Sequence, residues 1–106
     1  MTGKYSVYIT PDALSEIRNL PGNFKQRVKR AISALGGDPA PSDSKQLNLS
    51  VIDPSIALER VVRRIRMGRW RVVYSIIESE NVIDILAVRK RPPYDYGDLG
   101  KLLGQK

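Results

Sequence analysis

The chain has 106 residues, a length typical of one domain, and we expect residues 1–106 to fold as a single domain. Its net charge of +7 and pI near 10.0 favour a polyanionic partner, either nucleic acid or an acidic protein. Cysteine and histidine are both absent. Their absence excludes a disulfide scaffold, a thiol nucleophile, the usual zinc sites and the commonest general base near neutral pH. We therefore expect no metal and no cofactor.

The first residues, Met1 to Tyr5, lack the apolar region of a signal peptide. Nowhere does an apolar run approach the roughly 18 residues that suggest a membrane-spanning helix. The sequence therefore predicts a cytoplasmic protein without a membrane partner.

The first half of the chain reads as a strand followed by two helices. Residues Tyr5–Ile9 alternate between polar and apolar side chains, as a strand does. Thr10 can cap a helix, and Pro11 suits its first position. Apolar residues recur at helical spacing from about Asn23 to Leu35, which predicts a second helix. The two helices should form a hairpin that packs on one face of a sheet.

The second half of the chain reads as an antiparallel meander. The connection Asp38–Pro54 is rich in Pro, Ser and Asp and has no clear assignment. Three strands are then expected at about Leu58–Arg66, Arg69–Ile77 and Val82–Arg89, and a short helix at Tyr94–Leu103. The predicted order is β-α-α-β-β-β-α, a small α+β domain with a helical hairpin packed on an antiparallel sheet.

Arginines concentrate on one predicted hairpin. If Met67-Gly68 forms its loop, Arg66 lies opposite Arg69 and Arg64 lies opposite Arg71, all on one face. Like charges directly opposite on a sheet destabilise it, so an anionic ligand is the expected compensation. The planar guanidinium fork of arginine suits phosphate, which makes nucleic acid the first hypothesis for this face.

The same segment resembles a known family. The stretch from Arg66 to Tyr74, Arg-Met-Gly-Arg-Trp-Arg-Val-Val-Tyr, is similar to the hairpin motif of the RelE/ParE superfamily of type II toxin–antitoxin toxins. The resemblance continues through Val88–Arg91 and Tyr94–Leu99, and the predicted element order agrees with that family. RelE-type members cut messenger RNA in the ribosome, whereas ParE-type members poison DNA gyrase and cut nothing themselves.

The RelE-type chemistry that the resemblance implies needs no metal. The ribose 2′-hydroxyl attacks the adjacent phosphate and leaves a 2′,3′-cyclic phosphate. Basic residues stabilise the charge that develops, and a tyrosine near the C-terminus assists proton transfer. Positioning and charge stabilisation can supply much of such a rate enhancement, so a site without histidine or paired carboxylates is compatible with it.

Two arginines match the family's catalytic basic residues. Arg71 matches the arginine that follows the aromatic position, and its implied role is to clamp the scissile phosphate. Arg91 matches the basic residue that ends the last strand, a general acid or charge stabiliser. Ideal alternation across an even loop at Glu78–Asn81 would instead place Lys90 on the face of Arg71, whereas an odd loop or a bulge reverses this. Lys90 is therefore the alternative to Arg91.

Two further matches are incomplete. Tyr94 matches the tail tyrosine, but it lies one residue closer to Arg91 than in the family, so Tyr96 is an alternative. An unperturbed tyrosine has a pKa near about 10, so a useful base needs a basic neighbourhood. Arg64 matches one of two lysines that RelE-type enzymes use, and Val62 stands at the position of the other. Arginine is a poor proton donor, so Arg64 would act electrostatically.

The remaining basic residues of this region are expected to hold ribosomal or messenger phosphates. They are Arg60, Arg63, Arg66, Arg69, Arg89 and Lys90. Trp70 could stack on a base, but alternation places it on the face opposite Arg69 and Arg71, so core packing is the better interpretation.

The leading functional hypothesis is a ribosome-dependent messenger RNA endonuclease that inhibits translation. The alternatives are a ParE-like gyrase inhibitor and a family member that binds nucleic acid without cutting it. The implied partner is an antitoxin, acidic, partly disordered and encoded nearby, which would wrap the basic toxin. Operator DNA would be bound only through that antitoxin, and the ribosome and its messenger RNA are the other expected partners.

Overall fold

The computed structural model describes residues 5–47 and 60–90. In chain order, the described elements are β1 (Ser6–Ile9), α1 (Pro11–Arg18), α2 (Gly22–Leu35), β2 (Ser44–Gln46), β3 (Val61–Met67), β4 (Trp70–Ile77) and β5 (Val82–Lys90). A 3₁₀ turn at Glu78–Glu80 joins the last two strands. The predicted terminal helix at Tyr94–Leu103 lies outside the described residues, and so does the start of the predicted strand at Leu58.

The five strands form one sheet in the order β1-β5-β4-β3-β2. β3, β4 and β5 pair antiparallel, as predicted for the meander. β2 also pairs antiparallel, with β3, whereas β1 pairs with β5 in parallel. The predicted α+β architecture, two helices packed on a sheet, is confirmed. The sheet is mixed rather than wholly antiparallel because the chain passes through α1, α2 and three further strands before β5 returns beside β1.

The helices begin where the sequence places them. Thr10 has an extended backbone and its hydroxyl accepts a hydrogen bond from the Ala13 N–H at 3.4 Å, which is a standard N-terminal cap. The same hydroxyl donates to the Ile85 carbonyl at 2.8 Å. The start of α1 is therefore tied directly to β5.

One face of the sheet forms the core with the two helices. Alternate residues of β3, β4 and β5 point toward the helices and pack against the apolar stripes of α1 and α2. The buried residues of this cluster are Ala13, Ile17, Leu20, Val28, Ile32, Leu35, Ile65, Val72, Tyr74, Ile76, Ile83, Ile85 and Val88. Trp70 packs against it from the rim, in agreement with the core role expected for it.

The opposite face of the sheet carries the arginines at one end and is itself largely buried. Val62, Val73 and Leu86 are fully buried there, as are the paired Ser75 and Asp84. Strands covered on both faces read as near-continuous apolar runs, which explains why β4 and β5 show little polar alternation.

β2 was not anticipated. Its three residues lie in the connection that the sequence left unassigned, and they pair with β3 at Ile65, Arg64 and Arg63. Arg63 holds this edge strand from the side, since its Nε donates to the Ser44 hydroxyl at 2.9 Å and its Nη2 to the Ser44 carbonyl at 3.4 Å. A strand this short depends on such tertiary contacts and leaves no periodic signal.

Candidate functional site

The register of the β3–β4 hairpin differs from the expected one. Gly68 and Arg69 form the two-residue loop, and Met67 pairs with Trp70. The expectation that Met67-Gly68 is the loop, with Arg66 opposite Arg69 and Arg64 opposite Arg71, is wrong. Gly68 has φ +62°, a conformation that favours glycine, and a glycine at the first central position is what tight hairpin turns of type II′ use.

This register builds a row of three arginines across the sheet. Arg66 on β3 pairs with Arg71 on β4, and Arg71 pairs with Arg89 on β5. Directly paired residues share a face, so the three side chains lie side by side at one end of the sheet. We call Arg66, Arg71 and Arg89 the arginine row. Three like charges in register destabilise a sheet, which makes this the strongest candidate anion site in the described part of the chain.

The members of the arginine row differ in exposure. Arg66 is exposed, whereas Arg71 is only 7% exposed. The side chain of Arg89 is 29% exposed. A buried guanidinium in the middle of the row interacts more strongly with an anion than a solvated one does, because the local dielectric constant is lower.

A bulge in β5 brings Arg89 into this row. Val73 pairs with Ala87 and Tyr74 pairs with Ile85, so Leu86 has no residue opposite it on β4. One extra residue reverses the faces of every position that follows it. Arg89 is therefore placed beside Arg71, and Lys90 is moved to the other face.

Lys90 consequently cannot substitute for Arg91 on the face of Arg71. Its Nζ lies 5.8 Å from the centre of the Trp70 ring, on the helix side of the sheet. Trp70 in turn lies 6.0 Å from Phe24, which carries the Arg27 guanidinium 5.0 Å above its ring. The tip of the hairpin is thus held against α2 by two aromatic rings between two cations.

The other predicted arginines lie in different environments. Arg64 is half-buried on the face of the arginine row, opposite Val73. Arg69 is exposed in the turn. Arg63 lies on the helix face and binds Ser44. Arg60 lies near the far end of β3, where its Nη1 is 3.7 Å from Asp84 Oδ2. Of the predicted residues that the structure describes, Arg64, Arg66, Arg71 and Arg89 share a face at this end of the sheet.

Sequence reasoning missed Glu16. Its carboxylate Oε2 lies 3.2 Å from Arg89 Nη2, and its Oε1 accepts the Val88 N–H at 2.8 Å. No sequence pattern could reveal this, because the contact joins positions 72 and 73 residues apart. Arg89, at one end of the arginine row, is thus paired with a carboxylate of the protein itself.

The candidate catalytic residues Arg91, Tyr94 and Tyr96 lie outside the described residues. In the described part of the chain, Tyr5 and Tyr74 have raised pKa values, which makes both of them poor general bases. Burial raises the pKa of Tyr74, whose hydroxyl donates to the Pro39 carbonyl at 2.7 Å. The hydrogen bond to Glu78 raises the pKa of Tyr5.

Within residues 5–47 and 60–90, no group of three acidic side chains is placed to hold a metal ion. The helices described there are too short and too polar to cross a membrane.

Comparison with known proteins assigns the chain to a family of toxins. A family model described as "ParE toxin of type II toxin-antitoxin system, parDE" matches residues 7–92. The chain therefore belongs to this family, within the RelE/ParE superfamily of toxins that the hairpin motif indicated. No curated protein matches the sequence.

Solved structures with the same fold come from RelE proteins. The archaeal RelE–RelB complex from Pyrococcus horikoshii has a TM-score of 0.70 and 24% identity, and covers 86% of this chain and 99% of its own. RelBE2 from Mycobacterium tuberculosis has a TM-score of 0.64 and 22% identity, and the match covers 83% of this chain and 99% of the RelBE2 chain. The intact RelBE complex of E. coli has a TM-score of 0.55 and 18% identity, and the match covers 83% of this chain and 98% of the matched chain. At these identities the likeness establishes the fold alone.

Proposed function

We propose that this toxin is a ribosome-dependent endonuclease that cuts messenger RNA and thereby inhibits translation. The observation that carries the proposal is the arginine row, with Arg71 between Arg66 and Arg89 on one face. A row of guanidinium groups matches the negative charge of consecutive phosphates and of a pentavalent phosphorus transition state.

In the proposed reaction, the ribose 2′-oxygen attacks the adjacent phosphorus and the 5′-oxygen of the next nucleotide leaves. The products are a 2′,3′-cyclic phosphate and a 5′-hydroxyl end. Arg71 binds the non-bridging oxygens, where charge develops, and Arg64 adds positive potential from the same face. Arg91 is proposed to act at the leaving oxygen, as charge stabiliser or general acid, and Tyr94 to assist proton transfer, with Tyr96 as the alternative tyrosine.

The burial of Arg71 has a consequence for this reaction. At 7% exposure, Arg71 offers little surface to a phosphate of free RNA. We therefore expect weak cleavage of free RNA and efficient cleavage only where the ribosome holds the messenger in place, because positioning then supplies much of the rate.

The proposed RNA contacts are the exposed and half-exposed arginines nearest this site. Arg66, Arg69 and Arg89 are assigned to flanking phosphates. Arg60 and Arg63 were expected to share this role, but their contacts with Asp84 and Ser44 favour a structural one. The position of Lys90 over Trp70 leaves it available to RNA only from the helix side of the sheet.

The proposed inhibitor is a cognate antitoxin. The net charge of +7 favours an acidic, partly disordered partner encoded nearby. Structural neighbours crystallised as RelE–RelB complexes support such a pairing. We propose that the complex binds operator DNA through the antitoxin, and that both proteins act in the cytoplasm.

Inhibition of DNA gyrase is the second candidate. The family model that matches the chain is that of ParE toxins, and this observation favours it. Val62, which stands where RelE-type enzymes carry a lysine, is fully buried and offers no group for proton transfer. The third candidate is a family member that binds nucleic acid without cutting it. The presence of Val62 in place of the lysine supports this candidate as well.

One experiment separates the candidates. The toxin is produced in a cell-free translation system, and the ends of the translated messenger are mapped by primer extension, beside an Arg71→Ala variant. Cuts within codons that require ribosomes and disappear in the variant support the nuclease. Intact messenger with undiminished translation excludes it, and loss of supercoiling in a purified gyrase assay would then establish the ParE-like function. Cuts that persist in Arg71→Ala would keep the activity and exclude Arg71 from the site.

A further inference from the structure

We propose that Glu16 is an internal competitor of the RNA phosphate: it occupies Arg89 in the free toxin and sets the affinity of the arginine row for a polyanion. The inference rests on the proposed nuclease function, because the phosphate with which Glu16 competes is that of the RNA substrate. Glu16 lies on α1, which packs on one face of the sheet, whereas the arginine row lies on the other face. The Glu16 side chain contacts Arg89 at the edge of the sheet.

The location of Glu16 is fixed by the packing of α1. Ala13 and Ile17, which flank it on the helix, are both buried in the core. Thr10 anchors the start of the helix to β5 through the Ile85 carbonyl. The helix therefore lies along β5, and Glu16 faces the part of that strand that follows Ile85.

That part of β5 has an open edge toward Glu16. β1 pairs with β5 only from Val82 to Ile85, so the Val88 N–H is not used by the described β1 ladder. Glu16 Oε1 accepts it at 2.8 Å. This hydrogen bond requires only an oxygen acceptor, and it fixes the carboxylate beside the arginine row.

The second carboxylate oxygen is the one that acts on the site. Oε2 lies 3.2 Å from Arg89 Nη2, and both side chains are 29% exposed. A phosphate offers the same kind of oxygen to the same guanidinium, with more charge and a bidentate geometry. The two anions therefore compete, and a partly solvated ion pair is weak enough to be displaced.

The two roles of Glu16 can be separated by Glu16→Gln. The amide oxygen of glutamine can still accept the Val88 N–H, whereas the negative charge beside Arg89 is removed. Glu80→Gln is the control, since Glu80 is exposed in the turn before β5 and its loss changes the net charge equally. Arg89→Gln and the double variant Glu16→Gln/Arg89→Gln complete a cycle.

The measurement is the affinity of each toxin for a short fluorescein-labelled single-stranded RNA, by fluorescence anisotropy over a series of salt concentrations. Glu16→Gln should bind about two- to fivefold more tightly than the wild type, as expected for release of an exposed ion pair. Its salt slope should steepen by up to about 0.7, the value for one additional phosphate contact on a single strand. Glu80→Gln should change both quantities much less, and the gain should disappear in the double variant.

A role limited to closing the strand edge predicts something different. In that case Glu16→Gln would match Glu80→Gln in affinity and slope, and this result would overturn the inference. A gain that persists in the double variant would also overturn it, because the effect would not pass through Arg89. Thermal unfolding of each variant identifies any loss of fold.

Failure of the nuclease proposal can be distinguished from failure of the role proposed for Glu16. Absence of ribosome-dependent cuts by the wild type would refute the nuclease, even if Glu16→Gln tightened RNA binding as expected. Conversely, a wild type that cuts, with RNA binding unaffected by Glu16→Gln, would leave the nuclease standing and remove the role of Glu16.

Discussion

Arg71 lies directly opposite Arg89 in the antiparallel pairing of β4 and β5, although ideal alternation from the preceding turn would place Val88 there. The bulge at Leu86 makes the difference. It converts two separated positive charges into neighbours, and with Arg66 on the other side it completes the arginine row. The relationship favours an anionic ligand, because the fold gains nothing from it in stability.

Removing one member of the row should therefore stabilise the fold at low salt. Arg66→Gln relieves a directly opposed charge, and the free energy of unfolding should rise by about 0.2–1 kcal/mol. The gain should vanish in high salt, where the repulsion is screened. Urea unfolding at two ionic strengths measures it, with Arg69→Gln as the control because Arg69 lies in the turn. An equal gain in the control would assign the effect to net charge alone.

Arginine at position 71 should matter for its shape as well as its charge. Arg71→Lys keeps the charge but loses the planar fork, so we expect ribosome-dependent cleavage to fall at least about tenfold. Messenger half-life in the cell-free translation system is the readout. Full activity of the lysine variant would mean that Arg71 supplies only long-range potential, while circular dichroism checks that the variant is folded.

The conformation of Gly68 predicts a backbone effect. Gly68→Ala must place a side chain at φ +62°, which costs about 1–2 kcal/mol in the free energy of unfolding. The added Cβ would meet the Phe24 ring at 3.6 Å, an ordinary contact, so crowding should contribute little. Gly22→Ala is the matched control.

Gly22 lies at the start of α2 with open space around the position of a Cβ. Alanine there should be neutral or stabilising by up to about 1 kcal/mol, since it restricts the unfolded chain. Chemical denaturation of both variants tests the pair. Equal effects at the two glycines would contradict the assignment of the cost to the positive φ.

Tyr74 should make stability depend on alkaline pH. Burial raises its pKa in the folded state above the ordinary value near about 10, so the folded protein keeps the proton that the unfolded chain loses. This contribution is fully present below pH about 10 and is lost as pH rises through the raised pKa. Tyr74→Phe should flatten that fall, while losing about 0.5–1.5 kcal/mol at neutral pH with the hydrogen bond to Pro39.

Tyr5 is the necessary comparison, because its pKa is also raised, through its hydrogen bond to Glu78. Denaturation of Tyr74→Phe, Tyr5→Phe and wild type between neutral and alkaline pH separates the two. If Tyr5→Phe alone flattened the profile, burial of Tyr74 would not be the cause.

Arg63 should prove structural. Arg63→Ala removes both hydrogen bonds to Ser44 and should loosen β2, lowering the free energy of unfolding by about 1 kcal/mol. RNA affinity should change less than in Arg66→Ala. Amide hydrogen exchange at Ser44–Gln46 reports the loosening directly. A larger loss of RNA affinity in Arg63→Ala than in Arg66→Ala would restore the contact role that the sequence suggested.

Local patterns in the sequence determined much of the fold. Helical spacing of apolar residues, the cap at Thr10 and the alternation of the strands placed the two helices and the antiparallel meander, because these signals lie within a few residues of one another. The family motif at residues 66–74 located the arginine face for the same reason. The faces of Arg64, Arg66 and Arg71 were predicted correctly even though the loop was displaced by one residue.

Only the tertiary structure decided the rest. The parallel pairing of β1, the edge strand β2 and the contact of Glu16 with Arg89 join segments distant in the chain, and the bulge at Leu86 shifts the register within a hairpin. Periodicity cannot encode such contacts, since each depends on how the elements pack rather than on the order of neighbouring residues. The sequence alone thus identified the arginines as candidates for binding an anion, and the packing decided which of them stand together.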